Sequence, residues 1–202
     1  MPRSPLRSLP ALTLAALLLT PAAALAHTGA GATHGFVHGF THPIGGLDHI
    51  LAMVTVGILA SQLGGRALWL VPGAFVLVMA AGGAAGVAGI NLPFVEIGIA
   101  ASVVVLGAVV ALGIQAPVAA AMGLVGFFAI FHGYAHGAEM PDAAGGLTYG
   151  LGFMLATALL HIVGIGLGLA AGRIGERYGA VAYRAVGCVV AVAGVGLLTG
   201  VI

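Results

Sequence analysis

The sequence predicts an all-α integral membrane protein: a six-helix transmembrane bundle that follows a cleaved signal peptide. Three observations carry that expectation. Charged residues make up 5% of the chain and apolar ones 61%, and no water-soluble domain could cover its surface with so few polar groups. Six apolar runs of roughly 20 residues follow one another, each long enough for a bilayer core about 30 Å thick. The N-terminal segment has the build of a secretory signal.

That segment, residues 1–26, places Arg3 and Arg7 before a short apolar stretch and closes with Ala24-Leu25-Ala26, a small-x-small pattern of the kind signal peptidase cleaves. The mature chain is then expected to begin at His27 on the outer side of a bacterial inner membrane. Residues 27–41 form a histidine-rich periplasmic segment and residues 42–202 the membrane domain. The expected helices cover about 42–62, 67–89, 94–114, 117–137, 147–172 and 180–201. Their short connections make neighbours antiparallel. Pro43 and Pro117 suit first-turn positions, where no backbone donor is lost, and Pro72 should kink the second helix. Small residues at four-residue spacing, as in Gly82/Gly86 and Gly164/Gly168/Gly172, let helix backbones approach closely in lipid. An inverted three-plus-three repeat is compatible with the helix count.

Loop charges set the expected orientation. With the mature N-terminus outside, the inner ends carry Arg66, Arg173, Arg177 and Arg184, while the outer loops carry Glu139 and Asp142 and no basic residue. This obeys the positive-inside rule and agrees with the signal peptide, which rests on different residues. The net charge of +1, with six basic and five acidic side chains, gives no basic surface for nucleic acid. Cys188 is the single cysteine, so the chain has neither an internal disulfide nor a thiolate cluster. The phosphate-loop pattern GxxxxGK[ST] is absent, so this polypeptide has no ATP-binding module of that kind.

Histidine outnumbers each sign of charge, with eight copies. In HPIGGLDHILAM, His42 and His49 are seven apart and share a face if the segment is one helix, with Asp48 beside His49 and Met53 one turn further on. His34, His38 and His42 repeat every four residues upstream. In FHGYAHGAEMPD, His132, His136 and Glu139 stand at positions 0, 4 and 7 and share a face. His161 lies in the fifth helix, roughly 20 Å below its outer end, and Glu96 opens the third. Met53 is read as packing, Glu96 as a first-turn carboxylate favoured by the helix dipole, and His161 either as a ligand or as a partner for a neighbouring helix.

An ionisable group in hydrocarbon costs on the order of 2.5–3.5 kcal/mol on insertion scales, so a cluster of them points to function. Imidazole binds nickel, cobalt, copper and zinc, and a carboxylate can neutralise charge or orient a ring. Without thiolates, a site of His, carboxylate and water suits a divalent ion that must also leave. The candidate metal residues are therefore His27, His34, His38, His42, Asp48, His49, His132, His136, Glu139 and His161.

HPIGGLDHILAM, FHGYAHGAEMP and LATALLHIVGIGLG resemble the signature segments of the HupE/UreJ family, and the likeness covers nearly the whole mature chain. Members are regarded as nickel permeases of bacterial hydrogenase and urease systems, some assigned to cobalt, with a cleaved signal and about six helices. Carried over by position, the first motif supplies His42, Asp48 and His49, and the second His132, His136 and Glu139. His34 and His38 are less typical of the family. The resemblance implies a secondary permease with a transported ion, Ni2+ or Co2+, and no permanent cofactor. A membrane metalloenzyme is one rival, which would need a general base beside an open metal position, and the HExxH signature is absent. A metal sensor or accessory scaffold that binds without transport is another, and uptake measurements separate it from a permease.

Overall fold

The computed structural model describes residues 35–140 and 145–202, the side chains of 176 and 177 excepted. These residues form seven helices: α1 (Gly35–Gly45), α2 (Leu47–Leu63), α3 (Ala67–Val87), α4 (Val95–Leu112), α5 (Val118–Ala138), α6 (Gly146–Arg173) and α7 (Glu176–Leu198). Helices α3 to α6, and Tyr178–Leu198 within α7, are each long and apolar enough to cross a membrane. Each lies within four residues of an expected span.

The first expected span is different and requires a correction. Instead of one helix over residues 42–62, α1 and α2 meet at a bend of 82°. Gly46 causes the break: its backbone is extended, with φ −101° and ψ 125°, and α2 starts after it. His42 therefore belongs to α1 and His49 to α2, and their seven-residue spacing does not put them on one helix face. Pro43 is buried in the last turn of α1 rather than in a first turn. Pro117 does precede the first turn of α5, and α3 runs continuously through Pro72.

Burial is inverted relative to a soluble protein. Trp69, Leu77 and Val192 are exposed, whereas Ser102, His132 and Thr157 are fully buried, as expected where lipid meets the outside and polar groups must find partners within. An apolar core built on Met53, Val56, Leu59, Phe75, Met79, Leu106, Val125 and Phe153 fills the centre.

Glycines decide which helices touch. A Cβ on Gly133 would overlap the Met79 carbonyl and one on Gly137 the Gly83 carbonyl, so α5 packs backbone to backbone on α3. Gly57 and Gly164 join α2 to α6 in the same way, and Gly107 and Gly187 join α4 to α7. Gly39 lies on the Tyr149 carbonyl and Gly152 on the Phe36 carbonyl, which lays α1 along the start of α6. Close approach of this kind drives helix association where lipid removes the hydrophobic term. Counting α1 and α2 as the first span, the tight pairs are first with fifth, second with fourth and third with sixth. Exchanging the first three spans with the last three leaves this pairing unchanged, which an inverted repeat would also do.

The two ends of the bundle differ. Arg66, Arg173 and Arg184 are exposed toward the end where α2 joins α3 and α6 joins α7. The starts of α2, α4 and α6 and the ends of α3 and α5 lie at the other end, where the polar motifs gather.

Candidate metal-ion site

The site begins at the break before α2. Asp48 occupies the first turn, where the unpaired N–H groups of a helix favour a carboxylate. Its Oδ1 accepts the backbone N–H of His49 at 2.8 Å and lies 2.8 Å from His49 Nδ1. A carboxylate oxygen only accepts, so Nδ1 carries hydrogen, and in the neutral ring Nε2 keeps its lone pair. Gly46 permits this fold-back: a Cβ there would sit 2.7 Å from Asp48 Oδ1.

His49 Nε2 faces His136 Nε2 across 2.5 Å. With His49 neutral, the proton between them belongs to His136. The two rings, from α2 and α5, have centroids 4.5 Å apart, and His132 packs edge-on to His49 at 4.8 Å. His42 reaches the same group from α1, 4.5 Å from the His136 ring, with its Nδ1 3.2 Å from the Tyr149 hydroxyl. His38 follows, 5.8 Å from His42 and 5.6 Å from Tyr149. Phe153 packs on His136 at 4.2 Å and closes one wall.

Deeper in the bundle the file continues past Phe75, whose ring is 5.7 Å from His132 and 5.1 Å from His161. His161 is 1% exposed, and neither of its ring nitrogens has a hydrogen-bond partner among the described residues. Thr157 does not serve it, because its hydroxyl points to Met79 Sδ at 3.7 Å. Leaving such a buried polar group unmet costs about 1–3 kcal/mol, which makes His161 expensive as a purely structural residue. Rings of His38, His42, His136, His49, His132 and His161 thus form a file from a half-buried end to the middle of the bundle. Asp48 is an acid placed directly against it.

The remaining candidates fall outside this file. Glu139 is the exposed residue that ends α5, one position beyond its last helical residue, and its charge acts on Tyr149, the neighbour of His38 and His42, which places it at the rim of the file rather than within it. Glu96 is exposed in the first turn of α4. Met53 is fully buried in the apolar core. His27, His34, Asp142 and the signal segment 1–26 lie outside the described residues. Ser102, Tyr149, Phe75 and Phe153 were not singled out in the sequence, where they read as ordinary residues of apolar helices.

No group of three His, Cys, Asp or Glu side chains among the described residues is arranged as a ready metal centre. The spacing of His49 and His136 shows why. Two nitrogens each ~2.1 Å from one ion are ~3.0–3.4 Å apart at right or tetrahedral angles, whereas these stand 2.5 Å apart. An ion between them therefore requires the rings to part by less than an ångström, a side-chain adjustment rather than a helix movement.

The HupE / UreJ protein family model matches residues 15–197. The chain is 50% identical over 188 residues to Protein HupE of Rhizobium leguminosarum bv. viciae, a match that spans 93% of this chain and 96% of that protein. No solved structure matches it. With that match extending over almost the full length, including every helix that carries the imidazole file, the chain belongs to the HupE/UreJ family.

Proposed function

We propose that this protein is a secondary permease, not an enzyme, which takes up a divalent transition-metal ion, nickel foremost and cobalt next, across the bacterial inner membrane. The observation that carries this reading is the file of imidazoles that runs from half-buried His38 to fully buried His161. The exposed arginines at the opposite end of the bundle support a mature N-terminus in the periplasm, so that the file opens outward.

Neutral imidazole is a ligand that adds no charge, and one carboxylate offsets only part of the charge of a divalent ion. Such a path holds the ion by several nitrogens in turn and never so tightly that it stays, as conduction demands. His38 and His42 would take the ion from water, with His27 and His34 as further collectors upstream. Asp48, His49, His132 and His136 would hold it after partial dehydration, with Glu139 at the rim, and His161 would be the inner step. The ion is cargo, and no permanent cofactor is part of this reading.

Uptake of radioactive nickel into proteoliposomes tests it. Accumulation well beyond the amount of protein, competed by cobalt more strongly than by zinc, supports a permease. Retention no greater than one or two ions per chain refutes transport and favours a metal-binding accessory role.

A further inference from the structure

Ser102 lies seven residues into α4, fully buried, and touches the file from a helix that contributes no histidine. Its hydroxyl has one proton. The Ile99 carbonyl oxygen is 2.6 Å from Ser102 Oγ, nearer than His132 Nε2 at 2.9 Å, so the proton is donated to Ile99 and lone pairs face the imidazole. A lone pair attracts a ring nitrogen only if that nitrogen carries hydrogen. His132 is then the Nε2–H form, and its Nδ1, buried and without a hydrogen-bond partner, keeps a lone pair. The opposite tautomer would leave an N–H at Nδ1 with no acceptor, whereas a bare lone pair is what a cation can engage.

We propose that Ser102 is a positioning residue that accepts the Nε2–H of His132 and so presents Nδ1 to the transported ion. The proposal rests on the reading of His132 as a ligand. It pairs with the arrangement at His49, where Asp48 accepts the Nδ1 hydrogen, so that Nε2, which faces His136, is the nitrogen left for an ion once the two rings part. The two helices therefore offer opposite ring nitrogens, one backed by a carboxylate and the next, further in, by a neutral hydroxyl. A neutral partner raises the basicity of its ring less than a carboxylate does, which suits a ligand that must release the ion onward.

The test uses full-length protein in lipid with ring-15N histidine, the His132 signals being those lost in His132→Gln. The wild type should show a protonated Nε2 and an unprotonated Nδ1. Ser102→Ala should lose that preference and bind nickel(II) about 10- to 100-fold more weakly, while Ser102→Thr, which keeps the hydroxyl, should restore both relative to alanine. A wild-type His132 protonated at Nδ1 overturns the proposal, as does Ser102→Ala with tautomer or affinity unchanged. Nickel affinity in His132→Gln equal to wild type overturns the ligand reading itself, and the proposal with it; the wild-type tautomer is recorded independently of that result.

Discussion

If His49 and His136 close on one ion, removing both should cost clearly less than the product of removing each. Their Nε2 atoms are 2.5 Å apart and come from different helices, so neither can hold the ion in this place without its neighbour in reach. Take a single loss of 10- to 100-fold in affinity, about 1.4–2.8 kcal/mol each. Independent sites would give the double variant 100- to 10,000-fold, or about 2.8–5.6 kcal/mol. Residues in direct contact couple by about 0.5–3 kcal/mol, so the double variant should fall short of the product by about 2- to 150-fold. The assay is nickel affinity by competition with a chromophoric chelator for the wild type, His49→Ala, His136→Ala and the double variant, with thermal unfolding of each as a control on folding. Losses that multiply within error would refute the shared ion and make the two rings successive stations.

Three other outcomes follow from the geometry. Asp48→Asn keeps an acceptor oxygen but removes the charge that holds His49 Nδ1–H, and nickel affinity should drop about 10-fold or more; an unchanged titration would remove Asp48 from the site. Because a metal takes the nitrogen lone pair that a proton would otherwise hold, nickel affinity should fall on acidification as protons compete for the imidazoles. Calorimetry giving one value down to the pH at which the protein unfolds would argue against histidine as the main ligand. Gly133→Ala would drive a methyl into the Met79 carbonyl and should destabilise the protein by about 1–3 kcal/mol. Gly150→Ala, whose added methyl meets nothing within 4 Å inside a helix, should hold or raise the unfolding midpoint; equal midpoints for the two variants would contradict the packing.

The five later spans were legible because each is a long apolar run between breakers, and length alone marks such a run. The first was not. Gly45-Gly46 sits inside an otherwise helical pattern, and periodicity cannot tell a tolerated glycine from a break of 82°. The histidines were legible as a set, since polarity in lipid is rare enough to be conspicuous, and spacing did put His132 and His136 together on the buried side of α5. For Glu139 spacing reached only as far as the helix end, since α5 closes at Ala138 and the carboxylate follows it. Ser102 and Tyr149 were invisible for another reason. Each meets its histidine across 30 and 107 positions of chain, and a hydroxyl among apolar neighbours carries no local sign of its partner.

The backbone contacts between α3 and α5 bear on how variants of this gene would be sorted by a growth selection. Gly133 follows His132 directly, and its neighbour across the interface is the Met79 carbonyl, so on the proposed reading one residue serves the ion and the next sets the distance between two walls. A selection for metal-dependent growth would discard changes at both positions alike and draw a continuous sensitive stretch along α5. Counting the protein that reaches the membrane divides that stretch in two: substitutions at Gly133 should deplete the amount made, while those at His132 should leave the amount intact and empty it of use.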